Sequence, residues 1–244
     1  MINQNYLYIT LLSTAMLSGC ATPPPVIPDA ISVDKAAIHT LNEAVYFSTL
    51  FSTCSALGGD TEIDAIDIQQ NWINENSSLV AAADSLYSQQ QANNTFTYNG
   101  KTLSPAAIRL ALDARTRATD ELALAQRSPA NKQKTCRFRL AKISGKNLPL
   151  ANDPLISLYQ SELLKHQPLD LNITDVPKLA GETKDVTKGA TYFAVTKAHA
   201  SNCAAAYTLS IANQWPSEAY ANFCGEKAIE VVTCEWGKCE VKKL

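Results

Sequence analysis

The chain has 244 residues, with 21 Lys and Arg against 23 Asp and Glu and a formal net charge of −2 at pH 7. That balance excludes a global electrostatic bias toward nucleic acid, and the length allows one generous domain or two modest ones, each able to bury its own core. After residue 20, no segment approaches the roughly 17 to 25 apolar residues of a membrane-spanning helix.

The first element is an apolar run from Tyr6 to Met16, followed by Leu17-Ser18-Gly19-Cys20. It is too short to span a bilayer, and its small-residue ending fits a cleaved export signal. Over residues 1–20 it resembles the signal of bacterial lipoproteins, with one departure: Met1 to Asn5 carry no Lys or Arg. The resemblance implies cleavage before Cys20, lipidation of the Cys20 thiol with diacylglycerol and palmitate, and a membrane partner reached through that anchor. Each buried methylene contributes about 0.8 kcal/mol, so two or three acyl chains hold where one would not. Ala21 stands where an aspartate would signal inner-membrane retention in Gram-negative members, which implies the outer membrane with the protein facing the periplasm. Ala21 to Ala30, with Pro23-Pro24-Pro25 and Pro28, read as an extended tether. The expected organisation is a signal peptide over 1–19, a lipidated Cys and Pro-rich tether over 20–32, a helical domain over 33–150 and an α+β disulfide-rich domain over 151–244.

The first helix is expected from Val33 to Leu57, capped by Ser32 and stopped by Gly58-Gly59. A second begins near Thr61 and Asp64. Its pairs Ala65-Ile66, Trp72-Ile73, Leu79-Val80 and Leu86-Tyr87 recur every seven residues and keep one stripe toward a partner helix. Asn93-Asn94 and Asn99-Gly100 mark a loop or tight turn. Ser104-Pro105 opens a third helix through Ile108, Leu112, Leu122 and Leu124 to Ser128-Pro129, with a further helical segment after Cys136. The fold class expected is α+β, mainly helical: an N-terminal antiparallel helical bundle followed by a small disulfide-stapled α+β unit with a C-terminal β-hairpin. Within the second unit, Pro154 to Lys165 reads as a short helix, Pro168 to Gly189 as a loop, Thr191 to Thr196 as a strand, Ser201 to Asn213 as helix or strand, and Pro216 to Phe223 as a helix.

With Cys20 assigned to lipid, six cysteines remain, an even number for an oxidising compartment. Around a two-residue Trp236-Gly237 turn, Glu235 faces Lys238, Cys234 faces Cys239, Val232 faces Val241 and Glu230 faces Lys243. Cys234 and Cys239 then form a non-hydrogen-bonded pair close enough for a disulfide. Sequence proximity favours Cys203 with Cys224, leaving Cys54 with Cys136.

Four constellations bear on function. Asp60, Glu62, Asp64 and Asp67 superficially space acids as in a calcium loop, but no Gly stands sixth and Asn71 replaces the bidentate Glu; acids at a helix start are the simpler account. His39, His166 and His199 are scattered, so no metal site is expected. Arg127, Lys132, Lys134, Arg137, Arg139, Lys142 and Lys146 occur with no acid between Glu121 and Asp153, a candidate patch for an anionic partner as well as an ordinary solvated surface. Asn213 to Tyr220 brings Trp215 and amides together, as a carbohydrate or peptide site would, or as core aromatics do. Gly-x-Ser-x-Gly, His-Glu-x-x-His and phosphate-binding glycine loops are missing. The sequence therefore leads us to expect no catalytic residues, no cofactor and no nucleic-acid partner, but an outer-membrane lipoprotein serving as a non-catalytic accessory, scaffold or partner-binding component of an envelope assembly. The competing expectations are an envelope hydrolase acting on peptidoglycan or glycan, and an immunity or inhibitor lipoprotein that binds a toxin.

Overall fold

A computed structural model describes residues 29–146, 149–169 and 186–244. The signal, Cys20, the Pro-rich stretch through Pro28 and most of the expected loop after Pro168 lie outside the described residues.

Helix α1 runs from Ala30 to Ser55. Its cap is Asp29, whose carboxylate accepts from the Ser32 N–H at 2.9 Å and from the Ser32 hydroxyl at 2.7 Å. Ser32, expected as the cap, therefore lies in the first turn, and residues 30–32 belong to the helix rather than to the tether. An aspartate three residues upstream offers the free N–H groups a charged acceptor, which a serine cannot match. Gly58, at φ 73°, turns the chain into α2, Gly59–Gln91. The acids at 60, 62, 64 and 67 are thus helical and cannot wrap an ion as a loop would.

A small hairpin follows, β1 (Phe96–Tyr98) with β2 (Lys101–Leu103), turning on Asn99 and Gly100 at φ 48° and 76°. Both turn residues are left-handed, as a tight hairpin demands. Helix α3, Pro105–Leu122, is capped by Ser104 and ends at left-handed Ala123. The helix expected to continue to Ser128 breaks there, and α4 occupies Pro129–Lys146. Asp153 caps α5, Pro154–Leu163.

Heptad positions Ala65, Trp72, Leu79 and Leu86 of α2 are buried against Ala37, Leu41, Ala44, Val45 and Phe51 of α1. Glu43 meets Arg117 and Tyr46 meets Glu121, so α1 and α3 run parallel, while the short link at 56–58 makes α1 and α2 antiparallel. Ile156 and Leu163 of α5 are wholly buried in the same core. The residues of α5 therefore pack with the helical unit, although the sequence reading starts its second domain at 151.

The second unit holds α6 (Tyr192–Ala200) and a four-stranded antiparallel meander: β3 (Ala206–Gln214), β4 (Ser217–Cys224), β5 (Lys227–Glu235) and β6 (Lys238–Lys243). Two expectations fail here. The strand expected at Thr191 to Thr196 is the start of α6, because Tyr192, Val195 and His199 turn one helical face onto the sheet. The helix expected at Pro216 to Phe223 is β4: Glu218, Tyr220 and Asn222 face one side, Ala219, Ala221 and Phe223 the other, and all six are buried. The polar and apolar residues do alternate along β4, but the polar face is buried too, under α6, through contacts that no local pattern shows. The β5–β6 register follows the Trp236-Gly237 turn as argued, with Cys234 opposite Cys239.

Disulfides join Cys54 to Cys136, Cys203 to Cys224 and Cys234 to Cys239. The first ties α1 to α4; the other two lie inside the second unit. The sheet is a middle layer: α6 covers one face, and Ile108 and Leu112 of α3 pack on Leu209, Ala221, Phe223 and Ala228 of the other. Arg109 rivets this contact. Its guanidinium lies 4.9 Å from the rings of both Tyr207 and Phe223 and donates to the Gly225 carbonyl at 2.7 Å.

Candidate functional site

The basic run divides once it is folded. Cys136, Leu140 and Ile143 form the buried face of α4, so the intervening cations must point elsewhere. Arg127 turns back and donates from Nε to the Leu122 carbonyl at 3.2 Å, closing the end of α3. Arg137 stands 3.6 Å from Asp64, and Arg139 stands 3.8 Å from Glu121. Lys134 and Lys142 are exposed and Lys132 is half-buried. Among the described residues none of these three lysines has an ion-pair partner within 4.0 Å. Lys146 ends α4, and its side chain lies outside the described residues.

Arg139 and Lys142 rim a cleft of about 230 Å³ between α1, α3 and α4, with Tyr46, Phe47, Leu50 and Ile143 as its apolar floor and Glu121 on its wall. The Tyr46 hydroxyl donates to Glu121 at 2.7 Å, and the Arg117 guanidinium covers the Tyr46 ring at 4.3 Å while bonding Glu43 at 2.7 Å. Burial first, then the Glu121 carboxylate, pushes the Tyr46 phenol up to about 12. Tyr46 is therefore a neutral hydrogen-bond donor near pH 7 and not a base. Chemically the cleft offers an aromatic floor, one carboxylate and several cations, which suits binding of a mixed acidic and apolar segment. Glu43, Tyr46, Arg117 and Glu121 were missed by the sequence reading. They converge from helices some 75 residues apart, and no local spacing signals them.

The histidines resolve individually. His39 on α1 bonds the Asp153 carboxylate at 3.0 Å, a contact across 114 residues that fastens α5. Burial raises the Asp153 pKa, but the bonds from His39, Ile156 and Leu155 outweigh it and the net shift is downward. His199 is buried and bonds the Phe223 carbonyl at 2.7 Å, while His166 ends a short turn after α5. Among the described residues no group of three His, Cys, Asp or Glu side chains could hold a metal ion.

Asn213 to Tyr220 separates into parts. The buried Glu218 carboxylate accepts from the Ala190 N–H at 2.8 Å, the Thr191 N–H at 3.0 Å, the Thr191 hydroxyl, and the Tyr220 hydroxyl at 2.6 Å. Burial raises its pKa, yet the bonds from Thr191, Tyr220 and Ala190 win and hold it down at about 2. A Cβ on Gly189 would lie 2.5 Å from Glu218 Cδ and from the Tyr220 hydroxyl, so only glycine lets the chain come this close. Oε2 accepts three of these bonds and Oε1 one, and the cluster pins α6 to the sheet. Trp215, by contrast, is 71% exposed and meets Trp236, 66% exposed, edge to face at 5.3 Å.

Compared with protein-family models, curated proteins and solved structures, the chain matches none.

Proposed function

We propose that the protein is a lipoprotein of the bacterial outer membrane, anchored through Cys20 and facing the periplasm, that acts without catalysis by docking an acidic protein partner of an envelope assembly. The observation that carries the docking role is the cleft at Tyr46: an apolar aromatic floor beside Lys142, whose charge no described acid neutralises. Long-range attraction by such a cation raises the encounter rate with an acidic surface, and the half-buried aromatic floor supplies the anchoring area. The three disulfides support an oxidising compartment.

Two measurements test this reading separately. Intact-mass analysis of the chain purified from the envelope is expected to show an acylated N-terminal cysteine, and Cys20→Ala is expected to release the protein from the membrane fraction. In-cell cross-linking from the cleft rim should trap a protein whose yield falls in Lys142→Glu and with rising salt. A yield indifferent to both charge reversal and salt overturns the docking role; an unmodified cysteine overturns the anchor.

A further inference from the structure

We propose that the Trp215–Trp236 end of the sheet is a membrane-contact surface that seats in the headgroup layer of a phospholipid bilayer. Both tryptophans stand at turns between adjacent strands, β3 to β4 and β5 to β6, and the Trp236 N–H ties the turns together by donating to the Pro216 carbonyl at 3.1 Å. The platform behind them is stiff, with the Cys234–Cys239 disulfide under one turn and the Glu218 cluster under the other.

Trp236 sits at φ 53°, followed by Gly237 at φ 77°. That left-handed pair belongs to a tight hairpin turn whose first central position favours Asn, Asp or Gly, and a bulky indole is unfavourable there. Backbone strain that puts a large apolar group into water points to a use for the group. Phe193, 72% exposed, lies in the first turn of α6, which Glu218 fastens at this same end of the sheet. Lys188 lies 4.8 Å from the Tyr192 ring and 5.8 Å from that of Phe193, and Lys238 follows the Trp236-Gly237 turn. Exposed aromatics interleaved with lysines match the composition of membrane–water interfaces, where indoles lie among the headgroups and ammonium groups meet phosphate.

The tryptophan end is also unobstructed by α3. The opposite end of the sheet is held by Arg109 at Gly225 and Glu226, so the tryptophan end is the one left free of α3. Because α1 and α3 are parallel, Arg109 stands level with the first turns of α1, the end of the bundle into which the chain leads from Cys20. The stretch from Cys20 to Asp29 reaches at most about 30 Å when fully extended, comparable with the roughly 25 Å length of β4. The tether bounds how far from the bilayer that holds Cys20 the sheet can stand; to that extent the proposal rests on the lipoprotein reading. A glycan fits less well, because rings at 79° share no plane on which a sugar could lie across both.

The chain holds three tryptophans, and Trp72 is buried in the helical core out of reach of a membrane quencher, so the quenchable part of the indole emission reports the tip. The full chain purified from the envelope is mixed with liposomes of phosphatidylethanolamine and phosphatidylglycerol, with and without bromine on the acyl chains. Flotation reads attachment; bromine quenching reads insertion of the tip. Wild type is expected to float and be quenched. In Trp215→Phe/Trp236→Asn, which keeps a residue suited to the left-handed turn, quenching is expected to vanish while flotation persists. A chain that floats with unquenched, water-exposed emission overturns the membrane tip and leaves the anchor standing. Quenching of a chain whose Cys20 carries no lipid upholds the tip and overturns the anchor. Neither flotation nor quenching overturns both, and a blue shift with soluble peptidoglycan fragments in place of liposomes reassigns the tip to a glycan.

Discussion

The two units of this molecule are held by different means. The helical unit buries a continuous apolar core, in which Leu41, Leu50, Phe51, Leu122, Leu140, Ile156 and Leu163 are almost wholly enclosed, and a single disulfide closes it across 82 residues. The sheet unit has only small apolar clusters and makes up the difference with two short disulfides and buried polar groups: Glu218 with Tyr220, Thr208 with Asn222, and His199 with a strand carbonyl. A small domain exposes too much of its surface to be held by burial alone, so covalent and hydrogen-bonded ties take over. The cost is sensitivity to chemistry: reductant acts on both units, while the sheet unit adds a response to acid through Glu218.

The sharpest test of that contrast removes the long staple. Replacing Cys54 and Cys136 by Ala is expected to destabilise the helical unit by about 4–5 kcal/mol from loop entropy, leaving it folded but with a lower urea midpoint by far-UV circular dichroism. The sheet unit should behave differently under acid. Glu218 has an ordinary pKa of 4.5 unfolded and about 2 folded, so its contribution is complete above pH 4.5 and is lost as pH falls from there toward 2. Glu218→Gln should abolish that acid sensitivity and cost roughly 2 kcal/mol at neutral pH once solvent screening is allowed for. Hydrogen exchange localised to α6 and β4 would show both; an unchanged acid midpoint in the variant would contradict the assignment. The smallest expected effect is at the seam: Arg109→Met keeps the aliphatic stem and removes the cation over Tyr207 and Phe223, for a loss of about 1 kcal/mol. Protection should fall in β3 and the first turn of α3, and in neither core.

Much of the helical unit was legible in the chain because its signals are local. Ser104-Pro105 marks a helix start, the seven-residue repeat in α2 marks its inner face, and Trp236-Gly237 fixes the register of the last hairpin. The reading failed where a distant residue decides the local state. Thr191 to Thr196 is rich in residues that favour strands, yet Glu218 on β4 satisfies the N–H groups of Ala190 and Thr191 and starts a helix there. Tertiary contacts of this kind override intrinsic propensity. The candidate cleft was equally hidden, since Tyr46, Arg117, Glu121 and Arg139 come from three helices and share no sequence window.

By itself the sequence determined the α+β, mainly helical class, the Ser104-Pro105 start of α3, the inner face of α2 and the turn that places Cys234 opposite Cys239. Each depends on chemistry within a few residues: a cap, a heptad, a left-handed turn. The three-dimensional structure alone decided that β4 is buried on both faces, that α6 is a helix, that the basic run separates into paired and unpaired cations, and that Trp215 and Trp236 share one exposed tip. Those outcomes depend on which surfaces meet across 20 to more than 100 residues. Contacts over such separations carry no periodicity for a local reading to detect.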